Sequence, residues 1–231
     1  MTRSIFSQEM QEVKDDTLLL GSMVEESVMK SVEALRDNNL ERSRFVIAND
    51  EYINRKRFDI ESAIIILIAT QQPNTRDLRT LAASLDICTE LERMGDYAKG
   101  IANINIRSGG LSMPFILREI YSMGGKAMDM LHRAMTTYAD EDMQTAKTII
   151  QDDDIIDKCY THLYYDAVKS VIENPRNNFE RANYIIWVAH NLERLGDRTT
   201  NVCERVIYIV TGERYEYVPV TPESKLSEYD S

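Results

Sequence analysis

Apolar residues recur along the chain at three- and four-residue spacing, as in Val24, Val28, Val32 and Leu35. That period makes the one-sided stripe of an amphipathic helix, whereas a half-buried strand alternates in twos. The stripes are long, and what interrupts them is helix-ending chemistry. Pro73 in "TQQPNTRD", Pro114 in "SGGLSMPF" and Pro175 in "ENPRNNFE" each neighbour Asn, Ser or Thr, residues that cap a new helix. "DNNLERS" at 37–43 and "YADEDMQ" at 138–144 mark two more breaks, with acids in the turn that follows. These breaks divide the chain into six long helices, and no segment carries a strand signal.

The pattern also repeats. "LGSMVEESVMKSVEAL" lies over "MGGKAMDMLHRAMTTY" with Gly21 on Gly124, and in the same register "IANDEYIN" falls on "IQDDDIID". A small drift later, Pro73 meets Pro175 and Glu92 meets Glu193. The expected fold is therefore all-α, a tandem duplication of an antiparallel three-helix bundle. Residues 1–110 form the first bundle and 111–213 the second, joined near Gly109-Gly110. Residues 214–231, with two prolines and no period, read as an extended or mobile tail.

Charge narrows the partners. A formal charge of −11 and a pI near 4.8 leave no basic stripe for nucleic acid, and favour cations or basic patches instead. Met1 leads into "TRSIFSQEMQEVKDD" without an apolar run, so no signal peptide is expected. "AIIILIA" at 63–69 falls far short of the roughly 20 residues that span a bilayer. Cys88, Cys159 and Cys203 form no CxxC and read as core thiols in a reducing compartment. A cytoplasmic location is expected.

The candidate chemistry lies in "LERMGD" from Leu91 and "LERLGD" from Leu192. Glu92 and Asp96, like Glu193 and Asp197, stand about one helical turn apart and share a face. Like charges so placed cost a few tenths of a kcal/mol in an exposed helix. Gly95 and Gly196, inside their helices, each cost about 1 kcal/mol more relative to alanine. A bound cation is one compensating interaction, and a glycine admits a close neighbour. Across the helical hairpin the match continues. Asn54 and Glu92 are equidistant from Pro73, as are Asp50 and Asp96. About Pro175, Asp157 matches Glu193 and Asp153 matches Asp197. Antiparallel helices bring these groups to the same height, making an oxygen-only cluster. Such clusters favour hard cations such as Mg²⁺, Mn²⁺ or Ca²⁺, with iron or zinc also in range. Asn201 adds a neutral oxygen beyond Asp197, where the first copy has only Gly100, so the second copy is expected to be the tighter site.

Other sites fit less well. A di-iron bundle wants Glu-x-x-His on each of two helices, and "DMLH" at 129–132 is the nearest approach. His132, His162 and His190 therefore read as ordinary surface or core residues. "GGKA" at 124–127 lacks the spacing of a phosphate-binding loop. Trp187 and Tyr160, Tyr164 and Tyr165 read as core. No catalytic residue is assigned, no substrate-binding residue is identified, and enzymatic activity is not expected. Two other classes compete: a structural scaffold whose carboxylates are simply solvated, and a metal-dependent phosphohydrolase.

"QQPNTRDLRTLAASLDICTELERMGDYAKGIANI" and "NLERLGDRTTNVCERVIYIVTGE" resemble the two halves of PhoU, a family of phosphate-transport regulators. The resemblance covers roughly residues 6 to 213. It implies tandem three-helix bundles, no catalysis, and multinuclear metal clusters on the bundle surface. It further implies a cytoplasmic protein, in many members a homodimer, that restrains phosphate uptake and phosphate-starvation signalling when phosphate is plentiful. The implied partners are the ATPase subunit of a phosphate ABC transporter and a membrane sensor kinase. The implied ligands are Glu92 and Asp96 in the first copy and Glu193, Asp197 and Asn201 in the second, with Asp50, Asp153 and Asp157 matching on the second helix of each bundle. Gly100 departs from the usual Asn of that pattern.

Overall fold

A computed structural model describes residues 2–111 and 113–215. The expected tail lies outside the described residues from position 216 on. The helices are α1 (Thr2–Arg36), α2 (Leu40–Gln71), α3 (Thr75–Ser108), α4 (Pro114–Asp140), α5 (Met143–Glu173) and α6 (Pro175–Thr211). Among the described residues there is no strand.

Every break read from the sequence is a helix boundary with a local cause. Asn39 caps α2 by accepting from the Arg42 N–H, and Asn74 caps α3 by accepting from Arg76 and Asp77. Asp142 does the same for α5 through Gln144 and Thr145. Pro114 and Pro175 sit in the first turns of α4 and α6, where a missing N–H costs no helical hydrogen bond. Gly109 and Gly212 close α3 and α6 in the left-handed region.

α1, α3, α4 and α6 form the centre of the molecule; α2 covers α1 and α3, while α5 covers α4 and α6. The two bundles thus share one continuous core along their inner helices. The repeated glycines explain how they meet. A Cβ on Gly21 of α1 would lie 3.1 Å from Met135 of α4, and one on Gly124 of α4 would lie 3.2 Å from Val32 of α1. In the register that sets Gly21 on Gly124, Val32 falls on Met135. The same contact is therefore made twice, about a pseudo-twofold axis. Tyr138, fully buried, adds a hydrogen bond of 2.6 Å to Ser84 of α3 across the bundles.

Two sequence expectations need correction. Trp187 and Tyr165 are largely exposed, Tyr164 is exposed and Tyr160 only half-buried. The tyrosines lie on α5 and Trp187 on α6; α5 packs only on α4 and α6, which leaves the outward side of the pair uncovered. Cys88 and Cys203 are core thiols, whereas Cys159 is half-buried, with the Lys126 ammonium 3.2 Å from its sulfur. None of the described helices is long and apolar enough to cross a membrane.

Candidate metal centre

The apolar stripe of α6 sets the site's geometry. Leu192, Leu195, Gly196 and Thr199 are buried, which turns Glu193 and Asp197 to the edge of the helix beside α5. Ile156 is buried from the α5 side, flanked by Asp153 and Asp157. Gly196 is what lets the helices close at this height, because a Cβ there would collide with Oδ1 of Asp153. That oxygen is shut off from water and has no hydrogen-bond partner.

Burial pushes the Asp153 carboxyl up to about 7, with the charges of Asp157, Asp197 and Glu193 adding to the effect. Asp157 is raised by burial and then by Asp197. Glu193 is raised by burial and then by Asp197, with His190 partly opposing. The His190 Nδ1 stands 3.1 Å from Glu193 Oε2, yet that oxygen too lacks a partner in hydrogen-bond geometry. Glu193, Asp197, Asp153 and Asp157 thus gather as four mutually repelling carboxylates. No three of them bring oxygens all within 4.8 Å of one another. An all-oxygen donor set with two orphaned oxygens fits a hard divalent or trivalent cation, to which these side chains would be the ligands.

The first copy has the same frame and a different charge balance. Asp50 is buried on α2, and a Cβ on Gly95 of α3 would meet the Ile53 methyl at 3.2 Å and Asp50 Oδ1 at 3.9 Å. Glu92 is raised by burial and then by Asp96, and Asp96 by burial and then by Asp50. Here, however, the Lys99 ammonium lies 2.7 Å from Asp50 Oδ2, which also accepts from Asn54 at 3.2 Å. In the second cluster Arg194 lies 3.7 Å from Asp197 Oδ2, but no ammonium reaches Asp153 as Lys99 reaches Asp50. Thr200 stands at the position of Lys99 and hydrogen-bonds the Asp197 carbonyl instead. Sequence reasoning passed over Lys99, although Asp-x-x-Lys against Asp-x-x-Thr was there to be read.

Asn201 is directed elsewhere. Its amide donates to Glu90 of α3 at 3.1 Å, beside an Arg198–Glu90 ion pair at 3.2 Å. Gly100 occupies the mirrored position, where a Cβ would lie 3.2 Å from the Asn191 amide of α6. This pair therefore belongs to the α3–α6 contact between bundles.

The fold and clusters together define an all-helical tandem-repeat protein with one carboxylate cluster per repeat, three carboxylates in the first and four in the second. The chain belongs to the PhoU family: the family model described as PhoU domain matches residues 17–104 and again 120–206. A phosphate-specific transport system accessory protein PhoU homolog of Clostridium acetobutylicum is 33% identical over 217 residues, spanning 94% of this chain and 99% of that protein. A homolog of the same description from Aquifex aeolicus is 33% identical, spanning 89% of this chain and 93% of its own. The crystal structure of the phosphate transport system regulatory protein PhoU from Streptococcus pneumoniae superposes with a TM-score of 0.84 at 28% identity, covering 92% of this chain and all of that one. PhoU from Pseudomonas aeruginosa superposes equally well at 31% identity, over 90% of this chain and all of that one.

Proposed function

We propose that this chain is a cytoplasmic accessory protein that regulates a phosphate-specific transport system, using a metal-loaded carboxylate cluster as part of its working surface. The accessory role follows from family membership over nearly the whole chain and from relatives described as phosphate transport accessory proteins. The observation that supports the metal is the orphaned Asp153 oxygen, held against Gly196 among three further carboxylates with no protein cation at the position of Lys99. In this reading Glu193, Asp197, Asp153 and Asp157 hold the metal, which neutralises an acidic patch. Asp50, Glu92 and Asp96 form a weaker site in competition with Lys99. The neutralised face docks on the transporter's ATPase subunit and on a membrane sensor kinase, and the working protein is a homodimer. Its role is recognition, with no chemistry of its own.

The docking claim is tested with immobilised chain and purified transporter ATPase subunit. Metal-loaded protein should retain the subunit, and chelator or the Glu193→Gln, Asp197→Asn variant should release it. Equal retention in all three states would leave the clusters outside the docking surface.

A further inference from the structure

We propose a second kind of metal site, formed by Glu119 of α4 with His162 and Asp166 of α5, that takes a borderline divalent cation such as Zn²⁺. It lies apart from the two carboxylate clusters and includes a histidine that the spacing of the chain gave no reason to single out.

His162 and Asp166 are one turn apart on the same face of α5. The imidazole Nε2 lies 3.5 Å from Asp166 Oδ2 and 3.8 Å from Glu119 Oε1, and one ligand atom from each of the three residues falls within 4.8 Å of the others. These separations are too long for direct hydrogen bonds, which run about 2.7–3.2 Å. They are close to the edge of a tetrahedron of metal ligands, about 3.4 Å for bonds of about 2.0–2.1 Å. The other Glu119 oxygen, Oε2, is shielded from water and has no hydrogen-bond partner.

The first repeat carries an ion pair at the equivalent place. In the register that places Gly21 on Gly124, Glu119 corresponds to Asp16, and Cys159 to Lys56. Lys56 and Asp16 form an ion pair of 2.5 Å that ties α1 to α2. In the second repeat the lysine is absent from that position, and the carboxylate faces an imidazole and another carboxylate. One nitrogen and two oxygens suit zinc better than the hard ions favoured by an all-oxygen set. His162 is well exposed, so a fourth position stays open to water or to a partner's ligand.

The test uses the full chain with ¹⁵N-labelled histidine, titrated with Zn²⁺ and followed by long-range ¹H–¹⁵N correlation of the imidazoles, beside calorimetric titration of the His162→Gln and Glu119→Gln variants. The Nε2 resonance of His162 should move while that of His132 stays in place. Each variant should lose one equivalent of bound Zn²⁺, with unchanged helical circular dichroism. An unmoved His162 Nε2, or full Zn²⁺ stoichiometry in folded His162→Gln, would overturn the proposal. Because these residues belong to neither carboxylate cluster, loss of this equivalent leaves both of those clusters intact.

Discussion

At the scale of single residues, Gly196 and Asp153 act as one unit. The glycine in "LERLGD" permits a carboxylate oxygen to rest where a methyl would otherwise be. In Gly196→Ala, the helix gains up to about 1 kcal/mol of propensity while Asp153 is displaced from its seat. Net unfolding stability in urea should therefore change by less than about 1 kcal/mol, yet the second cluster should lose its metal on elemental analysis. Gly125→Ala is the control, since its Cβ would meet nothing within 4 Å. It should stabilise the chain by about 0.5–1 kcal/mol and leave metal unchanged.

Asp153 also sets a pH dependence. Its carboxyl titrates near 7 in the folded chain and near 3.9 when unfolded, so the folded state holds its proton more tightly. In metal-free protein, its contribution to stability is greatest below about pH 4 and is lost as the pH rises through about 7. Thermal melts of metal-free Asp153→Asn should match the parent near pH 4 and exceed it at pH 8. If the variant is less stable at pH 8, the carboxylate is not repelled by its neighbours.

At the scale of helices, the two hairpins differ in what faces the buried carboxylate of the outer helix. Lys99 partly neutralises Asp50 in the first bundle, and Thr200 cannot do the same for Asp153 in the second. Lys99→Thr should cost the metal-free chain about 1 kcal/mol, less than a fully buried pair because the ammonium is partly solvated. It should also raise the metal bound per chain. Unchanged metal content would mean that Lys99 does not compete for the first cluster.

Much of the helix-level arrangement was legible in advance. Prolines and caps sit where helices end, and equal spacing from Pro73 and Pro175 puts the acids at similar heights, with Asp50 beside Gly95 and Asp153 against Gly196. What spacing does not encode is direction around the axis. Each four-residue step turns about 40°, so Asn201, two steps past Glu193, has rotated about 80° toward α3. A related limit misplaced Trp187 and Tyr165, because helical spacing says nothing about whether another helix covers the side a residue faces.

At the scale of the whole molecule, the pseudo-twofold contact of Gly21 with Met135 and of Gly124 with Val32 joins the bundles through their inner helices. The outer helices α2 and α5, packed on the inner α3 and α6, are left to present the acidic clusters. Four carboxylates gathered in one place, with two of their oxygens outside any hydrogen bond, are where the proposed metal would sit. The most direct measurement is elemental analysis of the chain purified without chelator, beside its Glu193→Gln, Asp197→Asn variant. The account predicts stoichiometric metal in the parent and a clear fall in the variant, with helicity retained. Parent protein free of metal, or a variant that keeps its full content, would contradict it.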